Sequence, residues 1–432
     1  MTARNALIAQ SGGPTPVINA SLAGIINGCR TSGRFRNLYA ARHGIEGVLS
    51  EELLDLTSQD EEELKRLRTT PAAGAIGTCR YKIDPERHED LERIVEVFRA
   101  HGIGTFFYIG GNDSMDTAHR VSELAAHNGL ELVCVGVPKT IDNDLGDQER
   151  RLIDHTPGYG SAARYWALMI QNLNEENRGS RPSDPVLVVQ AMGRRIGFIP
   201  AAARLGDPER EMPLQIYLPE AKVSLSELEE NVNRELQRSG RAIVIISEGF
   251  AVGDLGERSD AFGHTQYSAG QTSVMQIVVN SLNQHGLAAR GSARGQVPGT
   301  DQRNAIINAS TVDLKEAYRV GEEAVRIALE DGTGYMVTIV RKTGPAYTIT
   351  YDKAPLAKMA RSERTFPKEW IAENRIDVTD DFVDYARPLI GKDWPSVPLH
   401  SGLQRFARLK PVFVAQKCAP YMPQAYRERM NR

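Results

Sequence analysis

Short apolar runs recur along the chain, each closed by a Gly-rich or polar turn and followed by residues with helical spacing. The runs are Ala6–Ala9, Thr105–Ile109, Leu132–Val137, Val186–Val189, Ala242–Ile246 and Met336–Val340. They are continuous rather than alternating, as strands buried on both faces of a parallel sheet are. Between them, Met115, Ala118, Val121, Leu124 and Ala125 form one apolar helix face, with Ser114 as its expected N-cap and Gly129 as its stop. Leu314, Ala317, Tyr318, Gly321, Ala324, Val325 and Ala328 form another, closed by Asp331-Gly332. The stretch Asn177–Pro185 reads as an exposed loop, and the chain after about Asp352 as a C-terminal extension with weak strand character. Strand–helix alternation predicts an α/β protein with doubly wound parallel sheets, and in such sheets ligands bind beyond the carboxyl ends of the strands.

With 432 residues the chain has room for two or three domains. Its 52 basic and 55 acidic residues leave a formal charge of −3, so no basic excess points to nucleic acid or to an anionic membrane surface. An anionic substrate then needs a local cationic site. No run of 18 apolar residues occurs, and Met1–Asn5 has no signal-peptide anatomy. Cys29, Cys79, Cys134 and Cys418 form no C-x-x-C pair, so reduced thiols in a cytoplasmic protein are the simplest expectation.

The chemistry concentrates in the loops after the strand candidates. Ser11-Gly12-Gly13-Pro14 follows the first; paired glycines let backbone approach a phosphate, although such a turn is as often purely structural. Gly110-Gly111-Asn112-Asp113-Ser114 follows the second, and a carboxylate beside a phosphate-binding backbone calls for a cation. Pro138-Lys139-Thr140-Ile141-Asp142-Asn143-Asp144 follows the third. One of its carboxylates can take a proton from an attacking hydroxyl, another can hold Mg²⁺, and the lysine can neutralise a transferring phosphoryl group. Met192-Gly193-Arg194-Arg195 offers a guanidinium fork for phosphate, and Glu248 in Ser247-Glu248-Gly249 an acceptor for sugar hydroxyls.

In this order the loops resemble the phosphofructokinase family, from Ser11-Gly12-Gly13 to Pro388-Leu389-Ile390-Gly391, most specifically in Pro138–Asp144 and Met192-Gly193-Arg194. The resemblance implies two Rossmann-like lobes, a donor-binding lobe of residues 1–155 with 294–352 and a sugar-phosphate lobe of 156–293, with 353–432 as the extension. It implies Mg²⁺-dependent phosphoryl transfer to the 1-hydroxyl of fructose 6-phosphate, in glycolysis or gluconeogenesis, by a homodimer or homotetramer. By motif, Asp142 would be the general base, Thr140 would contact the sugar or the transferring phosphoryl group, Asp144 would orient the site and Arg194 would stabilise transition-state charge. Gly12, Gly13, Arg80, Gly111, Asp113 and Lys139 would hold the donor; Met192, Gly193, Glu248 and either Arg290 or Arg294 would hold the sugar phosphate. Asn112 and Asp113 would hold the metal.

Family members using ATP resemble one another in having Gly at the positions of Asp113 and Lys139; those using pyrophosphate resemble this chain. A carboxylate at 113 would add bulk and a like charge where a nucleotide's α-phosphate passes, a repulsion of about 4 kcal/mol at 4 Å and a dielectric near 20. Pro14, Lys353-Ala354-Pro355-Leu356 and Phe382–Leu389 resemble the pyrophosphate branch too. Two positions depart from the family pattern. Asn112 stands where an Asp metal ligand is usual, and Pro185 where a basic residue reaches a neighbouring subunit's sugar phosphate, for which Arg178 or Arg181 are the nearby substitutes. Two competing readings are an ATP-dependent sugar-phosphate kinase and a non-catalytic sugar-phosphate-binding subunit; the base and the clamp, Asp142 and Arg194, argue against the second.

Overall fold

A computed structural model of the chain describes residues 4–81, 83, 88–252, 272–360 and 362–430. Among the described residues, eleven strands form the two main sheets, and Leu399–His400 pairs with Leu403–Gln404 in a small separate hairpin. The eleven are β1 (Arg4–Gln10), β2 (Phe35–Ala41), β3 (Leu53–Asp55), β4 (Ile103–Gly110), β5 (Val133–Pro138), β6 (Val186–Ala191), β7 (Leu214–Tyr217), β8 (Ala242–Ser247), β9 (Ala293–Gln296), β10 (Tyr335–Arg341) and β11 (Ile349–Pro355). The larger sheet has the order β11-β10-β5-β4-β1-β2-β3, parallel except for its edge strands β11 and β3. The smaller, β7-β8-β6-β9, is parallel throughout. Every strand expected from the apolar runs is present. Their side chains are buried on both faces, as in Ile103–Gly110, because helices cover both sides.

Register places the chemistry. Gln10 pairs with Ile109 and Gly110 with Pro138, so β1, β4 and β5 end level. Ala191 pairs with Ser247, so β6 and β8 end level too. The five loops that follow therefore lie on two sheet edges.

The helix Asn112–His127 starts three residues earlier than the pattern suggested. Gly111 is its N-cap, and Ser114 lies buried in its first turn, so the expected cap is corrected. Glycine is required just before it, because a Cβ on Gly110 would meet Ser114 Oγ at 1.9 Å. The helix Tyr159–Ser180 runs through Asn177, which is 1% exposed and donates to the carbonyls of Asp184 and Pro185. Only the end of the stretch read as a loop is one, because a buried amide holds the helix to the strand that follows.

The helix Thr311–Glu330 buries its predicted face against the helix Ile18–Ser32. They cross so closely that a Cβ on Gly321 would meet Ser21 O at 2.2 Å and one on Gly24 would meet Tyr318 O at 2.0 Å. This crossing carries the chain from the smaller sheet back to β10, beside β5. Strand β9 spans the 293/294 division and belongs to the smaller sheet, while β11 spans 352/353 and belongs to the larger. Beyond β11 the chain touches both lobes. Phe366, Trp370, Phe382 and Tyr385 pack as an aromatic group with Phe198. Val414 N then bonds Leu53 O, and Tyr421 donates to Asp90 at 2.7 Å.

Candidate active site

The two sheet edges face one another across a cleft of about 520 Å³. On the larger lobe, Ser11 N bonds Ile109 O at 2.8 Å and Gly12 N bonds Cys79 O at 2.9 Å, which press the first loop onto the segment carrying Arg80. Gly12 has φ +79°, a left-handed conformation suited to glycine. A cation lies over each of the two glycines. A Cβ on Gly12 would sit 3.1 Å from Lys139 Nζ, and one on Gly13 would sit 2.8 Å from Arg303 Nη1. Lys139 is 3% exposed and donates to Gly13 O at 2.7 Å. Burial lowers its ammonium to about 7, helped by Arg303 and Arg194 and opposed by Asp142 and Asp144.

Asp142 and Arg194 meet from opposite lobes, with Arg194 Nε 3.8 Å from Asp142 Oδ2. Thr140 Oγ1 accepts from Asp142 N at 3.1 Å, and Asp142 lines the cleft. Arg194 has φ +54°, and both its backbone N–H and its carbonyl are held by hydrogen bonds. Its N–H donates to Glu248 Oε1 at 2.9 Å, and its carbonyl accepts from Ser247 Oγ at 2.9 Å. Gly193, at φ +120°, makes the turn before it, and a Cβ there would meet Ile196 O at 2.8 Å. Met192 N bonds Gln302 Oε1 at 3.0 Å. Burial opposes the Arg194 charge, but Asp142, Asp144, Asp113 and Glu248 hold it above the ordinary arginine value. Burial, reinforced by Asp142, raises both Asp144 and Glu248 to about 6.

The helix Asn112–His127 opens its N-terminus onto the cleft, a site suited to anions, and Gly111, Asn112 and Asp113 all line it. Asn112 Oδ1 is buried and accepts no hydrogen bond among the described residues. An acceptor left unmatched inside a polar cleft calls for a donor or a cation. Five carboxylates (Asp113, Asp142, Asp144, Glu248, Glu363) and four cations (Arg80, Lys139, Arg194, Arg303) line the same space. A polyanion entering it therefore needs positive charge beyond what the side chains supply. Asn112 and Asp113, one orphaned oxygen and one carboxylate, fit Mg²⁺, which takes few protein ligands and completes its shell with water and phosphate.

The structure brings together nearly all the residues singled out from the sequence: Gly12, Gly13, Arg80, Gly111, Asn112, Asp113, Lys139, Thr140, Asp142, Asp144, Met192, Arg194 and Glu248. Gly193 shapes the wall without lining it. Arg290 and Arg294 stand outside this chain's own cleft: both are exposed, Arg290 precedes β9, and Arg294 pairs with Asp184 at 2.6 Å. The sequence reading missed Gln190, Gln302, Arg303 and Glu363. Arg303 lies in the turn after β9, a strand too short and polar (Ala-Arg-Gly-Gln) for an apolar run to reveal, so the loop after it went unread.

Parallel sheets with opposed carboxyl edges, over a cleft built for phosphate, define a two-lobed α/β phosphotransferase. The sequence model of the family "Phosphofructokinase" matches residues 5–328. The chain is 37% identical to pyrophosphate–fructose 6-phosphate 1-phosphotransferase of Halomonas elongata, over 95% of this chain and 97% of that one. It is 40% identical to the enzyme of the same name from Rhodospirillum rubrum, over 90% and 95%. A crystal structure of pyrophosphate-dependent phosphofructokinase from Nitrosospira multiformis superposes with a TM-score of 0.85 at 36% identity, covering 97% of this chain and all of that one. The chain belongs to the phosphofructokinase family.

Proposed function

We propose that the chain transfers a phosphoryl group reversibly from pyrophosphate to the 1-hydroxyl of fructose 6-phosphate, giving fructose 1,6-bisphosphate and phosphate. The observation that carries this reading is the buried Lys139 ammonium on the glycine loop, with Asp113 lining the same cleft. A buried point charge suits a compact diphosphate. A carboxylate at the helix N-terminus disfavours the longer, like-charged tail of a nucleotide.

In this reading Asp142 accepts the proton of the sugar's 1-hydroxyl as that oxygen attacks phosphorus, and the bond from phosphorus to the departing phosphate breaks. Lys139 and Arg194 face the charge that develops on the transferring group. Thr140 contacts the sugar or that group, while Asp144 helps to orient the site. Glu248 anchors Arg194 through its backbone and offers its other oxygen to a sugar hydroxyl, with Met192 beside it. Gly12, Gly13, Gly111 and Arg80 bear on the donor's phosphates. Mg²⁺, held by Asn112 and Asp113, would neutralise donor charge. Arg290 and Arg294 can reach a sugar 6-phosphate only in the cleft of a second copy, consistent with a homodimer or homotetramer. Four unpaired cysteines suit a cytoplasmic setting, and no helix among the described residues is long and apolar enough to cross a membrane.

Steady-state assay with fructose 6-phosphate, Mg²⁺ and either donor tests the reading. Turnover with pyrophosphate far above that with ATP is expected. Faster turnover with ATP would replace it with an ATP-dependent sugar-phosphate kinase.

A further inference from the structure

The loop that carries Asp142 is held from behind by a segment lying beyond the residues matched by the family model. Asn143, next to Asp142, is fully buried and left-handed at φ +56°. Asparagine tolerates that conformation better than other residues with a side chain, and its hydrogen bonds to the surroundings fix it there. Those surroundings are polar and complete. Asn143 Oδ1 accepts from Thr156 N at 3.1 Å and from Arg364 Nη2 at 3.0 Å, and Asn143 Nδ2 donates to Tyr385 Oη at 2.9 Å.

Arg364 is 0% exposed, and its guanidinium spends its donors on oxygens of two neighbouring stretches of chain. Nε reaches Asn143 O at 3.0 Å, while Nη1 reaches Ile153 O at 2.9 Å and Asp154 O at 3.0 Å. Its backbone N–H bonds Asp144 O at 2.7 Å. The residues beside it extend the seam. Ser362 Oγ accepts from Gly146 N at 3.1 Å, and Phe366 N donates at 3.0 Å to Glu220, which also holds Gly197 N at 3.1 Å. One short segment thus grips the Asp142 loop on one lobe and the chain just after Arg194 on the other.

We infer that Arg364 is a positioning residue for phosphoryl transfer, with Tyr385 as its helper: the pair holds Asn143 left-handed, so that Asp142 faces Arg194 across the cleft. A planar fork is required, because a lysine ammonium cannot span Asn143 and the Ile153–Asp154 carbonyls together. The inference rests on the assignment of Asp142 as the base.

The test compares Arg364→Ala, Arg364→Lys and Tyr385→Phe with a packing control, Phe382→Leu, each assayed where circular dichroism shows a native fold. In both arginine variants kcat should fall about tenfold or more while KM for pyrophosphate and fructose 6-phosphate stays within about threefold. Ethylguanidinium should restore part of the loss in Arg364→Ala only. Phe382→Leu should lose thermal stability and keep kcat. Unchanged kcat in folded Arg364→Ala, or full activity in Arg364→Lys, overturns the inference. Should Arg364→Ala fail to fold, Tyr385→Phe decides, since it removes one hydroxyl: a severalfold drop in kcat supports the inference and an unchanged value overturns it. Hydrogen exchange of residues 140–146 gives a readout independent of substrate. Were the wild type inert toward both substrates, the functional reading would fall, while unchanged exchange in the arginine variants would separately overturn the positioning role.

Discussion

Lys139→Met is the most informative single substitution, because it should move activity and stability in opposite directions. Methionine keeps the length of the side chain and removes its charge and its bond to Gly13 O. An ammonium 4 Å from a phosphoryl oxygen is worth about 4 kcal/mol at a dielectric near 20, and removal of one preorganised group from a transition state typically costs about 3 kcal/mol, or 100-fold. We expect kcat/KM for pyrophosphate to fall about 100-fold, with KM for the sugar changed less than about threefold. Stability should rise. Burial holds the folded pKa at about 7 against 10.5 for the free side chain, so the unfolded chain binds the extra proton between those values. The lysine therefore destabilises the fold fully below pH 7, less as pH rises, and not at all above 10.5. Thermal melts at pH 6 should put Lys139→Met above the wild type, with the gap closing toward alkaline pH. The same titration should lower kcat/KM for pyrophosphate in the wild type as pH rises through about 7, a limb absent from the variant. A variant less stable at pH 6, or one that keeps its use of pyrophosphate, would refute the argument that a buried charge is held there for the donor.

Other outcomes follow from the same geometry. Asp142→Asn should lower kcat by about 10²- to 10⁴-fold and leave sugar binding, measured by calorimetry, nearly intact. Asp113→Gly combined with Lys139→Gly should depress pyrophosphate use; an unaltered rate in the donor assay would argue against both roles. Glu248 has a folded pKa of about 6, so sugar capture should weaken as pH falls through 6, and Glu248→Gln should lose that limb together with about tenfold in kcat/KM for the sugar. Gly321→Ala forces a Cβ against Ser21 O and should cost about 3 kcal/mol in denaturant unfolding without altering KM.

Much of this was legible in the sequence, for a local reason. A strand buried on both faces reads as an apolar run, and the loop after it is where a parallel sheet keeps its chemistry, so Asp142, Arg194 and Glu248 stood out. The failures share a cause. Phe35–Ala41 mixes polar and apolar residues and sits beside the edge strand β3, and β9 is polar and short, so neither announced itself, and Arg303 was lost with β9. Arg364 acts through side-chain bonds to residues more than 200 positions away, which no spacing rule can register. Ser114 has the composition of an N-cap, but Gly111 already ends the strand–helix turn, and the serine fills the space that Gly110 leaves open.

The return of the chain to β10 has a consequence for biosynthesis. Strand β5 leaves the ribosome with β1 and β4, yet its other neighbour, β10, follows roughly 200 residues later. At 5–20 residues per second that is about 10 to 40 s in which one edge of the larger sheet has no partner. The edge is apolar and central, the kind that recruits strands from other chains. The smaller sheet, complete by β9, can fold in that interval, while the larger waits for the helix that crosses at Gly24 and Gly321 to deliver its missing strand. Nascent chains stalled before Tyr335 should accordingly depend on holding chaperones, and those stalled beyond Pro355 and clear of the exit tunnel should not.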